Sequence, residues 1–457
     1  MIANHGGDIF EIANFMNIPI EKIIDFSSNI NPFGPPPKVL NTIVSNLNLI
    51  KFYPDRNYSK LKEALANYLG ISHDGIIVGC GTTELIHSIL ARFVRGNVII
   101  PIPTFSEYEA AARALDLNII FINPLGIKIN LDGIIEYIDK NTSNGAIFLC
   151  NPNNPTGEIL EKRKIIDIIE KAENKGIFVI IDEAYYDLSE GVESVIELTK
   201  EFSNLFVLRS LTKSFGFPGL RIGCCICNPI IAKKFENTAI SWRVGILEEI
   251  ATLSAISDIE FLKQSKEKLI KIKRKFFELL KSIHGLNPIY SGANFFMIDI
   301  SNSGFSSKNL KWRLLSYGLL IRDLSSIRGL SDYYIRVAVR KEEENLLLIE
   351  ALNNIINFMK KIYPNNPSCI EKKCHKIVLD CRLCFCPFYP CLDGRTGGKF
   401  IDRESGGIVW SCIDCLWVHR IEVADKVLKE IANIDIKKSN PELILKIRKN
   451  IMEELLP

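Results

Sequence analysis

No stretch of this sequence approaches the ~18 to 20 consecutive apolar residues that a membrane helix requires, and Asp8 and Glu11 interrupt the apolar residues near the start. A membrane partner is therefore not expected, and the chain reads as cytoplasmic. An excess of one charge is also missing. The 56 basic and 53 acidic residues leave a formal net charge of +3, which gives no electrostatic reason to expect nucleic acid. Absent too is a Gly-x-x-x-x-Gly-Lys-[Ser/Thr] loop, so phosphate transfer from ATP has no support in the pattern. What remains is an ordinary globular composition, 47% hydrophobic and 24% charged, in 457 residues. That length suits two or three domains with large cores.

The 13 cysteines divide by position. Cys80, Cys150, Cys224, Cys225 and Cys227 are scattered through apolar runs and read as small buried hydrophobes. Cys369, Cys374, Cys381, Cys384, Cys386, Cys391, Cys412 and Cys415 crowd into one segment. In a reducing compartment such crowding points to metal rather than disulfides. Two Cys-x-x-Cys pairs about 27 residues apart suit tetrahedral zinc, and eight thiols allow two sites or an iron–sulfur cluster with spare ligands. A segment this small has little core without a metal.

From about residue 50 to 230, uninterrupted apolar runs alternate with helical patterns. This predicts a mostly parallel sheet covered on both faces, whose ligands bind beyond the carboxyl ends of the strands. The polar motifs sit at those ends. Ser210-Leu-Thr-Lys213-Ser-Phe-Gly-Phe-Pro-Gly-Leu-Arg221 joins two such runs. A lysine held near apolar surface and other cations has a lowered pKa and can attack a carbonyl, while Ser210 and Arg221 suit a phosphate monoester. Together they suggest pyridoxal phosphate; a solvated loop is the alternative. Gly79-Cys-Gly81-Thr82-Thr83-Glu84 is either an anion site at a helix start or a capped helix. Phe105 follows the next strand. Asn151-Pro-Asn-Asn154-Pro-Thr-Gly157 forms a rigid turn, and Ile180-Ile-Asp182-Glu-Ala-Tyr185 places a carboxylate at the end of a central strand.

The lysine loop and these strand-end motifs, in this order, resemble fold-type I pyridoxal-phosphate enzymes of the aminotransferase class I/II family, over roughly residues 1 to 360. The resemblance implies an α/β fold with a large, mostly parallel sheet domain (51–234), an N-terminal arm (1–50) and a smaller α+β domain (235–363). It also implies roles. Lys213 binds the cofactor, Asp182 faces its pyridine nitrogen, and Asn154 and Tyr185 share its phenolic oxygen. Phe105 stacks on the ring, Gly81, Thr82, Thr83, Ser210 and Arg221 hold the phosphate, and Tyr53 reaches the cofactor phosphate of the partner in a homodimer.

The arm carries His5-Gly-Gly-Asp8 and Asp25-Phe-Ser-Ser-Asn29-Ile30-Asn31-Pro32. It is similar in particular to threonine-phosphate decarboxylases of cobalamin synthesis, whereas histidinol-phosphate aminotransferases usually have an acidic residue at the Ile30 position. By the same resemblance Arg336 holds a substrate carboxylate and Arg322 a substrate phosphate, with His5, Asn29 and Asn31 nearby; Arg340 has the weaker case. After a linker, the segments Cys386-Pro-Phe-Tyr-Pro-Cys391 and Trp410-Ser-Cys-Ile-Asp-Cys415 resemble a cysteine-rich domain attached to archaeal decarboxylases of this type. It gives a metal-stabilised module (369–420) followed by amphipathic helices (421–457). The expected reaction is decarboxylation of L-threonine O-3-phosphate to (R)-1-amino-2-propanol O-2-phosphate, with other enzymes of cobalamin synthesis as possible partners. The alternatives are histidinol-phosphate transamination and a catalytic fold reduced to a scaffold for the metal module.

Overall fold

The computed structural model describes residues 6–141, 144–358, 386, 388–404, 406–412, 415, 417–432, 434 and 439–455. The chain opens with a helix, Ile9–Met16, and a two-residue strand, β1 (Ile24–Asp25). Seven strands then form the large sheet: β2 (Ile76–Gly79), β3 (Asn97–Pro101), β4 (Ile119–Ile122), β5 (Gly145–Cys150), β6 (Ile177–Asp182), β7 (Leu205–Arg209) and β8 (Gly223–Cys227). Their order is β2-β8-β7-β6-β5-β3-β4. β8 alone is antiparallel to its neighbours. The carboxyl ends of β2, β3, β5, β6 and β7 therefore share one edge.

Alternation along these strands builds a core on each face. Ile147 and Leu149 of β5, with Val179 and Ile181 of β6, pack on the helices Leu131–Lys140 and Lys162–Glu173. Ala146, Phe148 and Cys150, with Ile180, Phe206 and Leu208, pack on the helix Gly81–Phe93. Each large side chain buried this way contributes about 1.5–3 kcal/mol. The helix Ser59–Leu69 shows the local logic. Leu61 and Leu65 are one turn apart and buried, and Gly70 ends the helix at a φ of +71°, its N–H bonded to the Ala66 carbonyl.

The second sheet holds β9 (Asn287–Ile289), β10 (Phe295–Asp299), β12 (Arg322–Asp323) and β13 (Tyr334–Ala338), ordered β12-β13-β10-β9 and antiparallel throughout. The sequence pattern predicts a single strand over Leu319–Arg322. The chain instead makes two: β11 (Leu319–Leu320) pairs in parallel with β1 of the arm, and β12 joins the sheet. Phe26 links the pieces, its N–H bonded to Leu320 O at 2.7 Å and its carbonyl accepting from Ala338 N at 2.8 Å.

A hairpin of β14 (Lys399–Asp402) and β15 (Ile408–Ser411) and the helices Ile421–Ile431 and Pro441–Leu455 complete the described chain. They share an apolar core with the N-terminal helix: Ala13, Met16 and Ile23 cluster with Leu315, Leu320, Trp410, Trp417, Val423 and Ile451. Among the described residues no helix is long and apolar enough to cross a membrane.

Candidate active site

The lysine loop is fixed from below by a buried ion network. Where β7 ends, Arg209 donates from Nε to Glu183 Oε2 at 2.9 Å and from Nη1 to Asp187 Oδ1 at 3.2 Å. Asp187 also accepts from Ser214 Oγ at 2.6 Å, which ties the network to the single helical turn Leu211–Ser214. Lys213 stands on that turn. Burial, followed by the positive charges of Arg336 and Arg221, holds its amine down at about 8 even though Asp182 acts in the opposite direction. At pH 7 roughly a tenth of such an amine is neutral and nucleophilic, some 300-fold more than for an unperturbed lysine.

Asp182 ends β6, the central strand, and burial raises the pKa of its carboxyl. Its Oδ2 accepts from the Tyr108 hydroxyl at 2.8 Å and its Oδ1 from Ala184 N at 3.0 Å. Tyr108 is fixed by stacking on Phe148, ring centroids 4.4 Å apart, and Phe105 meets Tyr108 edge to face at 5.6 Å. Two side-chain amides converge on the Tyr185 hydroxyl, Asn29 Nδ2 at 3.3 Å and Asn154 Nδ2 at 3.5 Å. Burial pushes that phenol up to about 12, so it stays protonated at neutral pH.

Beyond β2 the helix Gly81–Phe93 presents the unpaired amides of its first turn, where Thr82 and Thr83 lie, at its positive end. Gly81 has a φ of +79°, and a Cβ there would lie 2.8 Å from Arg221 Nη2. The glycine thus gives the guanidinium room over the helix start. Ser210 and Thr212 add two hydroxyls, 2.9 Å apart. Amides, hydroxyls and an exposed arginine form a cradle for a phosphate monoester.

Arg322 and Arg336 are cross-strand partners in β12 and β13, both buried. Burial and then the Arg336 charge hold Arg322 down at about 10. Arg336 donates from Nη1 to Asn154 Oδ1 and from Nη2 to Ser27 O at 2.7 Å. Among the described residues its Nε and Asn29 Oδ1 are buried with no hydrogen-bond partner. A buried orphan donor or acceptor costs free energy unless a ligand satisfies it. The residues present therefore fit a bound phosphorylated cofactor and an anionic substrate.

Other predicted residues land differently. Asn31 uses its own groups to fasten the arm to the lysine loop: its N–H bonds Lys213 O at 2.9 Å and its Nδ2 bonds Ser214 O at 2.9 Å. Arg340 likewise holds the arm, at Asp25 O, and pairs with Glu344. Tyr53 is 78% exposed, tilted against Trp242 at 4.7 Å. His5 lies outside the described residues, as do Cys369, Cys374, Cys381 and Cys384. Cys386, Cys391, Cys412 and Cys415 are free thiols in the core shared with the N-terminal helix. Cys412 lies within hydrogen-bond reach of Cys391. Among the described residues no group of three or more potential ligands is arranged to hold a metal ion. Sequence reasoning missed Tyr108 and the Arg209–Glu183–Asp187 network. Tyr108, three residues after Phe105 on the helix Glu107–Ala114, could have been found from that spacing.

A mostly parallel sheet with a buried lysine, a central-strand carboxylate and a phosphate cradle along one edge defines a pyridoxal-phosphate enzyme of fold type I. The comparisons agree. The family described as aminotransferase class I and II matches residues 21–352, and the chain belongs to it. A second family, the cysteine-rich small domain, matches residues 361–440. A histidinol-phosphate aminotransferase of Methanosphaera stadtmanae is 32% identical over 76% of this chain and 94% of its own length. A protein of Caldanaerobacter subterraneus named as a threonine-phosphate decarboxylase is 35% identical over 77% of this chain and 93% of its own. Among solved structures, the histidinol-phosphate aminotransferase of Clostridium acetobutylicum matches with a TM-score of 0.68 at 31% identity, covering 73% of this chain and 99% of that one. The L-threonine-O-3-phosphate decarboxylase of Porphyromonas gingivalis matches with a TM-score of 0.65 at 27% identity, covering 74% and 99%.

Proposed function

We propose that this enzyme decarboxylates L-threonine O-3-phosphate to (R)-1-amino-2-propanol O-2-phosphate. The reading is carried by the substrate half of the site. Two buried arginines in register, Arg322 and Arg336, offer one cation to each of two anions on a single small molecule, and the arm that covers them has Ile30 rather than an acidic residue. A phosphorylated amino acid has those two anions. The cysteine-rich segment beside the arm supports the same reading.

Pyridoxal phosphate, when bound, supplies an electrophilic carbonyl and a conjugated system that accepts the electrons of a breaking Cα bond. The protein's own groups direct it. The Gly81–Thr83 amides, Ser210 and Arg221 would bind the phosphate, and Phe105 would pack on the ring. The buried Asp182 carboxyl, at the end of the central strand, would face the ring nitrogen and hold a proton there. Asn154 and Tyr185 would donate to the phenolic oxygen. Arg336 binds the α-carboxylate and Arg322 the substrate phosphate, which orients the carboxylate bond for cleavage. Lys213 Nζ, with its lowered pKa, moves a proton to the Cα that has lost CO2. Tyr53, on an exposed face, reaches the cofactor phosphate of a second copy in a homodimer. One or more metal ions held by the eight cysteines complete the carboxyl-terminal segment; metal analysis of the purified protein tests that part.

Incubation with threonine phosphate should release CO2 and the amino alcohol phosphate. The second reading, histidinol-phosphate transamination, rests on relatives such as that of Methanosphaera stadtmanae. Interconversion of the aldehyde and amine forms of the cofactor by histidinol phosphate and 2-oxoglutarate, without CO2 release from threonine phosphate, would establish it and refute the first.

A further inference from the structure

The C-terminal segment is built into the wall behind the substrate half of the site. Trp312, on the helix Ser307–Leu315, stands where three parts of the chain meet. Its indole N–H donates to Pro390 O at 2.8 Å, and its ring meets Phe15 of the N-terminal helix edge to face at 5.4 Å. Just beyond, Ser316 O accepts from Trp410 N of β15 at 2.5 Å, and a Cβ on Gly318 would lie 2.7 Å from Ile408. Lys22 pairs with Asp402 at 2.5 Å, and Arg403 with Glu350. The segment thus clasps the approach to β11 from one side.

From β11 a chain of hydrogen bonds leads to the site. Gly318 O accepts from Ile24 N at 2.9 Å and Leu320 O from Phe26 N at 2.7 Å, which sets β1. The Asp25 carboxylate then accepts from Ser27 N, Ser27 Oγ and Ser28 Oγ at 2.8, 2.6 and 2.6 Å. Ser27 Oγ accepts in turn from Gly7 N at 2.9 Å, and Ser27 O is the acceptor for Arg336. Asn29 follows two residues later. The core that the segment shares with the N-terminal helix includes no described residue of β2, β5, β6, β7 or the lysine turn; Leu211 and Phe215 of the lysine loop pack with Phe26 in a neighbouring core.

We propose that the cysteine-rich segment is a buttress for the substrate half of the site, and that Trp312 is the positioning residue through which it and the N-terminal helix fix β11, β1 and the Ser27–Asn29 turn over Arg336. The proposal rests on the site described above, but not on which phosphorylated substrate occupies it. It predicts that loosening the buttress weakens substrate binding and leaves cofactor binding alone.

The experiment compares full-length Trp312→Ala and Trp312→Phe with the wild type. Three readouts are taken: cofactor affinity from the visible absorbance of the bound form, KM and kcat for threonine phosphate, and hydrogen exchange at the Ile24 and Phe26 amides. For Trp312→Ala, KM should rise about tenfold or more and both amides should exchange about tenfold faster, with cofactor affinity within about twofold of wild type. Trp312→Phe keeps the ring contact with Phe15 but loses the bond to Pro390, and should fall between. Unchanged exchange at both amides, or cofactor affinity falling in step with KM, overturns the proposal. If wild-type protein does not turn over threonine phosphate, the substrate reading fails, and exchange together with cofactor affinity decides the buttress alone.

Discussion

Replacing Lys213 with methionine should make the cofactor-free protein more stable at neutral pH. The wild type folds around an amine whose charge its surroundings disfavour: the unfolded amine titrates at 10.5 and the folded one at about 8. Between those values the unfolded chain binds more protons, so the stability contributed by this group rises with pH through the window. The penalty is full below about 8 and vanishes above 10.5. A fall of about 2.5 pH units at roughly 1.4 kcal/mol each corresponds to about 3 kcal/mol at pH 7, shrinking to about 1 kcal/mol at pH 10. Methionine keeps an apolar stem of similar length and removes the charge. Urea unfolding of cofactor-free wild type and Lys213→Met at pH 7 and pH 10, followed by tryptophan fluorescence, measures both gaps. A gap that is absent at pH 7, or equal at the two pH values, refutes the argument that the lysine is held activated by its surroundings.

Asp182→Asn should retain cofactor but lose about 10²- to 10³-fold in kcat, because a neutral amide no longer holds the ring-nitrogen proton; steady-state kinetics with cofactor quantified on the same sample checks it. Arg336→Lys should raise KM for threonine phosphate about 10- to 100-fold with the bound-cofactor absorbance intact, since an ammonium cannot reproduce the fork that reaches Asn154, Ser27 and a carboxylate. Gly81→Ala should weaken cofactor binding about tenfold or more, measured by absorbance titration, because the residue sits at a φ of +79° and its new Cβ would press on Arg221. Glu183→Gln should cost about 3–5 kcal/mol in urea unfolding, as it leaves Arg209 buried with half its carboxylate partners.

The large domain was largely legible before the fold was known, because both of its signals are local. Buried parallel strands leave unbroken apolar runs, and the helix Lys162–Glu173 and the strand β6 lie within a residue or so of where periodicity puts them, as does the helix Ile259–Ser282 beyond that domain. The residues proposed to hold the cofactor lie in equally local motifs, at or near the strand ends of the large sheet. The strap was not. Nothing in Gly318-Leu-Leu-Ile-Arg322 shows that its first half pairs with residues near 24 and its second with β13, since two-residue strands carry no period. The Arg209–Glu183–Asp187 network escaped likewise, as its members come from different strand ends. The core shared by Met16, Leu320 and Trp410 joins residues that have no common pattern at all.

The arm's partners also fix the order in which the site can be completed as the chain is made. Asn31 waits for Lys213, the Ile24 and Phe26 amides wait for residues 318 and 320, and Lys22 waits for Asp402, 380 positions later. Every group of the phosphate cradle and the central carboxylate has been synthesised by residue 221. The first-made residues are thus the last to find their places, and each closure over so long a loop must be offset by contacts that exist only near the end. A nascent chain halted before the hairpin of β14 and β15 would already carry its own phosphate cradle, lysine turn and central carboxylate, with the arm still unsupported from behind.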